Sequence, residues 1–99
     1  MTVAERTQAL VNALQANYDQ NGYGDTKFDT KEGRKYIKIC HYTPQESVHA
    51  FVDKKTGDVF KPASWRGPAK YARYNLLDEA SYHTALGRAD WAGGYLYMR

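Results

Sequence analysis

The spacing of apolar residues changes along this chain, and each change marks an element. Val3, Leu10, Val11, Leu14 and Tyr18 fall on one side at helical spacing, with Glu5, Arg6, Gln8, Asn12 and Gln15 elsewhere. That spacing predicts an amphipathic helix of about four turns that covers a sheet. Its start is marked by Thr2-Val3-Ala4-Glu5, a capping box in which the Thr hydroxyl accepts from the third helical N–H and Glu5 reaches back to the cap. Asn17 to Asp25, rich in Asn, Asp and Gly, ends the helix in a loop.

Beyond Phe28, which sits in a short extended segment before the Lys31-Glu32-Gly33 turn, the period falls to two. Lys35 to Tyr42 reads as a strand, with Ile37, Ile39 and His41 on one face and Tyr36, Lys38, Cys40 and Tyr42 on the other. Thr43 to Glu46 breaks it, and Ser47 to Asp53 is a second strand. Asp53 to Asp58 is a hairpin connection in which Gly57 takes the positive φ, and a third strand runs from Asp58 to Lys61. If Asp53 faces Asp58, Val52 lies opposite Val59 and Phe51 opposite Phe60 on the other side. Both faces of the sheet are then apolar, and the expected covers are the first helix and the C-terminal third, with the 68–86 helical region against an edge or the other face.

In that last third, Gly67-Pro68 reads as a helix entry with Ala69 to Tyr74 as a short helix, and Lys70, Arg73 and Tyr74 on one face of it. Asp78 caps a further helix that Gly87 stops near Leu86, with Leu76, Leu77, Tyr82 and Leu86 buried. Trp91 to Met98 is a glycine turn between aromatic pieces, ending in an edge strand. The expected fold class is α+β: an antiparallel meander of three or four strands, the N-terminal helix on one face, and a short helical region after the hairpin.

The 99 residues suit a single domain, 1–99, with one modest core. Nine tyrosines suit a core whose rings also reach the surface. A lone cysteine, Cys40, excludes an intramolecular disulfide and fits a reducing cytosol. No apolar run approaches the ~18 residues of a membrane span, and Met1 to Arg6 is not the start of a signal peptide, so the expectation is a cytoplasmic protein free of the membrane.

The net charge of +3 is unevenly distributed. Lys and Arg against Asp and Glu number three to five over 1–33, five to three over 34–60, four to none over 61–75, and two to three over 76–99. The stretch from Lys61 to Asn75 therefore carries Lys61, Arg66, Lys70 and Arg73 with no acid, interleaved with Trp65, Tyr71 and Tyr74. Cations at a helix start favour phosphate, and a tryptophan beside them offers a face on which a base stacks. The candidate anion-binding residues are Lys61, Arg66, Lys70 and Arg73, with Trp65 and Tyr74 as stacking residues. The competing reading has Trp65 in the core and the cations in solvent.

Other chemistry is thin. Cys40 and His41 are neighbours on a strand and point to opposite faces, and His41, His49 and His83 have no metal-ligand spacing, so no metal or other cofactor is called. Asp53, Asp58, Asp78 and Glu79 read as turn and helix-start residues, and no catalytic residue or reaction can be named.

Val48 to Asp53, the Thr56-Gly57-Asp58-Val59 turn, and Lys61-Pro62-Ala63-Ser64-Trp65 followed by Pro68-Ala69-Lys70 and Arg73 resemble a group of small, largely uncharacterised proteins of tailed bacteriophages and prophages. The resemblance covers the middle third to half of the chain. It implies a phage gene expressed in the cytoplasm of an infected bacterium, and no activity. Proteins of that kind commonly work by binding. The leading expectation is a non-enzymatic protein whose basic segment 61–73 holds a phosphate-bearing ligand, nucleic acid or nucleotide. The alternative is a module that inhibits or redirects a host bacterial defence protein, through the basic patch or through an aromatic surface at Trp91, Tyr95 and Tyr97. Monomer and homodimer both stay open.

Overall fold

The computed structural model describes residues 2–22, 24–42 and 45–97. Helix α1 (Val3–Asn21) starts with the capping box complete: Glu5 N–H donates to Thr2 Oγ1 at 3.1 Å and Thr2 N–H to Glu5 Oε1 at 2.8 Å. It runs through the Asn-rich stretch expected to end it, where Asn21 Nδ2 donates to the Asn17 carbonyl at 3.1 Å. Val3, Leu10, Val11, Leu14 and Tyr18 form its buried stripe, joined by Arg6 and Thr7. Thr7 is satisfied within the helix by the Val3 carbonyl at 2.7 Å. Arg6 instead reaches across to the second helix, where it donates to the Leu76 carbonyl at 2.9 Å, pairs with Glu79, and lies 4.2 Å from the centre of the Tyr82 ring.

Strands β1 (Phe28–Glu32), β2 (Tyr36–Tyr42), β3 (Glu46–Asp53), β4 (Asp58–Phe60) and β7 (Tyr74–Asn75) make a five-stranded antiparallel sheet in the order β1-β2-β3-β4-β7. The fold is α+β. The register of the central hairpin is the one the alternation demands, Phe51 opposite Phe60 and Val52 opposite Val59. Asp53 builds the turn by accepting from the N–H groups of Lys55 and Thr56 at 2.8 and 3.0 Å, and Gly57 closes it at φ 80°. The fifth strand, β7, was not expected. Asn75 anchors it by donating to the Thr56 carbonyl and Asp58 Oδ1 at 2.9 and 2.8 Å, while its own Oδ1 accepts from Leu77 and Asp78.

The pairing of β2 with β3 slips by one residue: Ile39 lies opposite Ala50, but Cys40 lies opposite Val48. His49 is the extra residue of a bulge, and a bulge turns a side chain that alternation would send to the other face. His49 is buried as a result, with its ring 5.6 Å from Phe28 and stacked on Tyr95 at 5.6 Å.

The covers are distributed differently from expectation. The C-terminal third does not take the second face of the sheet but packs beside α1 on the first, where Leu76, Tyr82, Ala85, Tyr95 and Leu96 join Leu10, Leu14, Ile37, Ile39, Val52 and Val59 in one core. Helix α2 (Glu79–Arg88) is capped by Asp78 as expected, passes through Gly87 rather than stopping there, and leaves Leu77 exposed. The expected terminal edge strand is instead a 3₁₀ turn over Gly94–Tyr97. Tyr95 and Leu96 of this turn are buried in the core. Met98, the end of the expected strand, lies outside the described residues.

What covers the second face is a two-stranded hairpin, β5 (Pro62–Ser64) and β6 (Gly67–Pro68), with Trp65 and Arg66 at its turn. This replaces the helix expected from Pro68. Ala69 N–H donates to the Lys61 carbonyl at 2.8 Å, so the next pair inward, Pro62 opposite Pro68, is one that exchanges no hydrogen bonds. Neither proline is then required to supply the N–H it lacks. A local reading sees Pro68 as a helix entry; the partner that makes it a strand residue lies on the other side of the turn.

Candidate functional site: a cationic cleft on the outer sheet face

With both helices on one side, the other face of the sheet carries Tyr36, Lys38, Phe51 and Phe60, and the β5–β6 hairpin folds down over part of it. Phe51 is fully buried between the sheet and the hairpin, with Tyr36 edge-on to it at 5.7 Å and to Phe60 at 6.2 Å. Lys38 stands in this aromatic floor. Its Nζ lies 3.9 Å from the centre of the Trp65 ring and 5.9 Å from that of Phe51, so the ammonium is held by two rings and makes no ion pair among the described residues.

Beside it opens a cleft of about 310 Å³ lined by Lys31, Arg34, Lys35, Lys38 and Arg66 over Tyr36 and Phe51. Arg34 and Lys35 come from the β1–β2 turn, and Arg66 from the hairpin turn opposite. The Arg66 N–H donates to Ser64 Oγ at 3.2 Å, which shapes that turn. The β1–β2 turn is tied in place by Lys54, which donates to the Gly33 carbonyl at 3.0 Å and pairs with Glu32 at 2.6 Å. Glu32, the one acid in the lining, is thereby neutralised. Lys31 is likewise engaged, 2.9 Å from Glu46; that contact raises the Lys31 pKa and lowers that of Glu46. Arg34, Lys35, Lys38 and Arg66 have no ion pair among the described residues. Like charges converging over an aromatic floor, these four outside any ion pair among the described residues, suit an anionic ligand.

Of the residues singled out in the sequence, Trp65 and Arg66 belong to this cleft region and the others do not. Lys61 lies on the ring of Tyr97, 4.4 Å from its centre. Lys70 is exposed, 5.5 Å from the centre of the Tyr71 ring. Arg73 is half-buried, its N–H donating to the Val59 carbonyl at 2.7 Å. Tyr74 is a core residue, stacked on Tyr95 at 5.7 Å and donating to its carbonyl at 2.9 Å, so its ring offers no face to a ligand. The helix start on which these residues were expected to converge does not form. The aromatic surface considered as an alternative is also reduced, because Tyr95 is buried and Trp91 packs edge-on to Tyr18 at 5.2 Å, leaving Tyr97 exposed. Sequence reasoning passed over Arg34, Lys35 and Lys38. Their signal was the surplus of bases after Gly33 and the outward place of Lys38 in the strand alternation.

The nucleophile and acid–base candidates fare as their burial dictates. Cys40 is fully buried, and burial pushes its thiol pKa up, away from the reactive thiolate. Burial lowers the pKa of half-buried His41 and takes that of His49 down to about 3, so both imidazoles are neutral at neutral pH. His49 Nε2 shares a 2.9 Å hydrogen bond with the Tyr95 hydroxyl. No group of three or more His, Cys, Asp or Glu positioned for a metal occurs among the described residues, and no helix among them is long and apolar enough to cross a membrane.

No curated protein and no solved structure matches the chain. Residues 1–98 do match the model of a family of unknown function, DUF7717, and the chain belongs to that family.

Proposed function

We propose that this protein is a non-enzymatic binder of nucleic acid that engages the phosphate backbone through the cleft on the outer sheet face. Arg34, Lys35, Lys38 and Arg66 contact phosphates in this reading, and Trp65, 42% exposed at the hairpin turn, supplies a stacking face. The observation that carries it is the convergence of four cations without ion pairs from two separate turns on one aromatic-floored cleft. The resemblance of segments 48–59 and 61–73 to small phage proteins supports a phage-encoded protein acting inside an infected bacterium.

Fluorescence anisotropy with nuclease-treated protein tests the reading. Four phosphate contacts give a slope of log affinity on log salt of about −2.8 for a single strand, or about a 50-fold loss between about 50 and 200 mM salt. Arg34→Ala with Arg66→Ala should roughly halve that slope and leave the thermal midpoint unchanged, because both side chains are exposed. Lys70→Ala should change neither. Salt-independent binding, or a folded double variant that binds as wild type, would overturn the proposal.

A further inference from the structure

A second cleft, of about 300 Å³, lies beside the edge of β3 that β4 leaves unpaired: β4 pairs with β3 only at Phe51 and Val52. Its walls include His41, His49, Pro62, Trp91, Gly93 and Tyr97. We infer that this cleft is a nucleobase site, a slot that takes one flat, uncharged ring out of a single strand whose phosphates lie on the cationic face. The inference rests on the nucleic-acid reading and deepens it, from backbone contact to recognition of an unpaired base.

The chemistry of the walls selects the ring and rejects the phosphate. Among the described residues the lining contains no Lys, Arg, Asp or Glu, and it is mostly apolar or aromatic. Its polar side chains among the described residues are those of His41, His49, Trp91 and Tyr97, with His49 Nε2 already bonded to the Tyr95 hydroxyl. His41 makes no side-chain hydrogen bond among the described residues, and its contacts are ring contacts to Phe28 at 5.4 Å and to His49 at 6.3 Å. A neutral imidazole presents one donor and one acceptor, the pairing that a base edge also carries. Burial keeps both imidazoles in that neutral form. The cleft is at the small end of ligand sites, which span about 300–1,000 Å³, and so matches a single heterocycle better than a large cofactor.

Two further features place a nucleotide rather than any flat molecule. Lys61 lies at the rim, its Nζ held on the ring of Tyr97, where the phosphate attached to an inserted base would emerge. Val48 and Pro62 are also walls of the neighbouring depression that runs along β5 to Trp65, so a strand has a path from the slot to the cationic cleft. A duplex cannot use the slot without unstacking a base.

The test compares a single strand with a duplex of the same sequence and length, and a strand carrying one 2-aminopurine reports stacking directly. Wild type should bind the single strand about ten-fold or more tighter, with a change in 2-aminopurine emission. Tyr97→Ala and, separately, volume-conserving His41→Leu should weaken single-strand binding about five- to ten-fold, abolish the emission change, and leave duplex binding unmoved. Displacement of the strand by a mononucleotide, but not by inorganic phosphate, would support the slot and show that it also takes free nucleotides. If neither strand nor duplex binds, the nucleic-acid reading falls and this inference with it. If a strand binds and responds to Arg66→Ala, but both cleft variants bind it as wild type or the duplex binds equally well, this inference alone falls.

Discussion

Acid should loosen this protein well before its carboxylates titrate, and His49 is the reason. Its side chain is buried among Phe28, Tyr95 and His41 because of the bulge in β3, and burial takes its pKa to about 3 from an ordinary 6.5. A histidine depressed in the fold binds fewer protons there than in the unfolded chain, so stability is complete above the unfolded pKa and is lost as pH falls toward the folded one. At pH 5 the unfolded state gains about 2 kcal/mol, and at pH 4 about 3.4 kcal/mol, from protonating this one ring. The size at pH 5 depends on the unfolded value and hardly on the folded one. His41, lowered by burial in the same direction, adds to the effect. Glu5, Glu46, Asp53 and Glu79, all lowered by hydrogen bonds, contribute only nearer pH 4 and below. Urea unfolding at pH 7.5, 6.5, 5.5 and 4.8 should therefore show a falling midpoint at constant m. His49→Gln costs stability at every pH, but should at least halve the slope between pH 6.5 and 4.8, leaving the share of His41. A wild-type midpoint that stays flat from pH 7.5 to 4.8, or a variant that keeps the full slope, would refute the reasoning.

Two other substitutions follow from geometry. Gly57→Ala should cost about 1–3 kcal/mol in chemical unfolding, since the residue sits at φ 80° and the new Cβ would meet Leu77 Cγ at 3.0 Å and Leu77 N at 3.2 Å; a loss below about 0.5 kcal/mol would count against the turn as described. Arg6→Ala should cost about 2–4 kcal/mol by removing the bond to the Leu76 carbonyl and the contact with Tyr82, whereas Glu79→Gln should cost under about 1 kcal/mol because Glu79 is exposed; equal effects would show that the ion pair, not the burial, holds the two helices.

Where the structure agrees with sequence reasoning, the deciding interactions are local or repeat at a fixed period. The Thr2–Glu5 box spans one turn, the α1 stripe follows the helical period, and the pairing of Phe51 with Phe60 follows from a short turn built by Asp53 and Gly57. The misses share a different cause. Pro68 is a strand residue only because Pro62 lies across from it, and Tyr95 is a core residue through rings distant in sequence, Tyr74 and the His49 that the bulge turns inward. The candidate site is of the second kind. The outward place of Lys38 is legible in the alternation of β2, but nothing near Arg66 in sequence reveals that its hairpin folds over that face to meet Arg34 and Lys35.

The opposed prolines of the hairpin also govern what the protein does at high local concentration. In an antiparallel pair that exchanges no hydrogen bonds, the two N–H groups point outward, to the free edges. Pro62 and Pro68 occupy those positions, so at this pair each edge shows a carbonyl without the donor that a third strand would need to dock. Copies of this chain at high local concentration can therefore expose this finger side by side without zipping together through it.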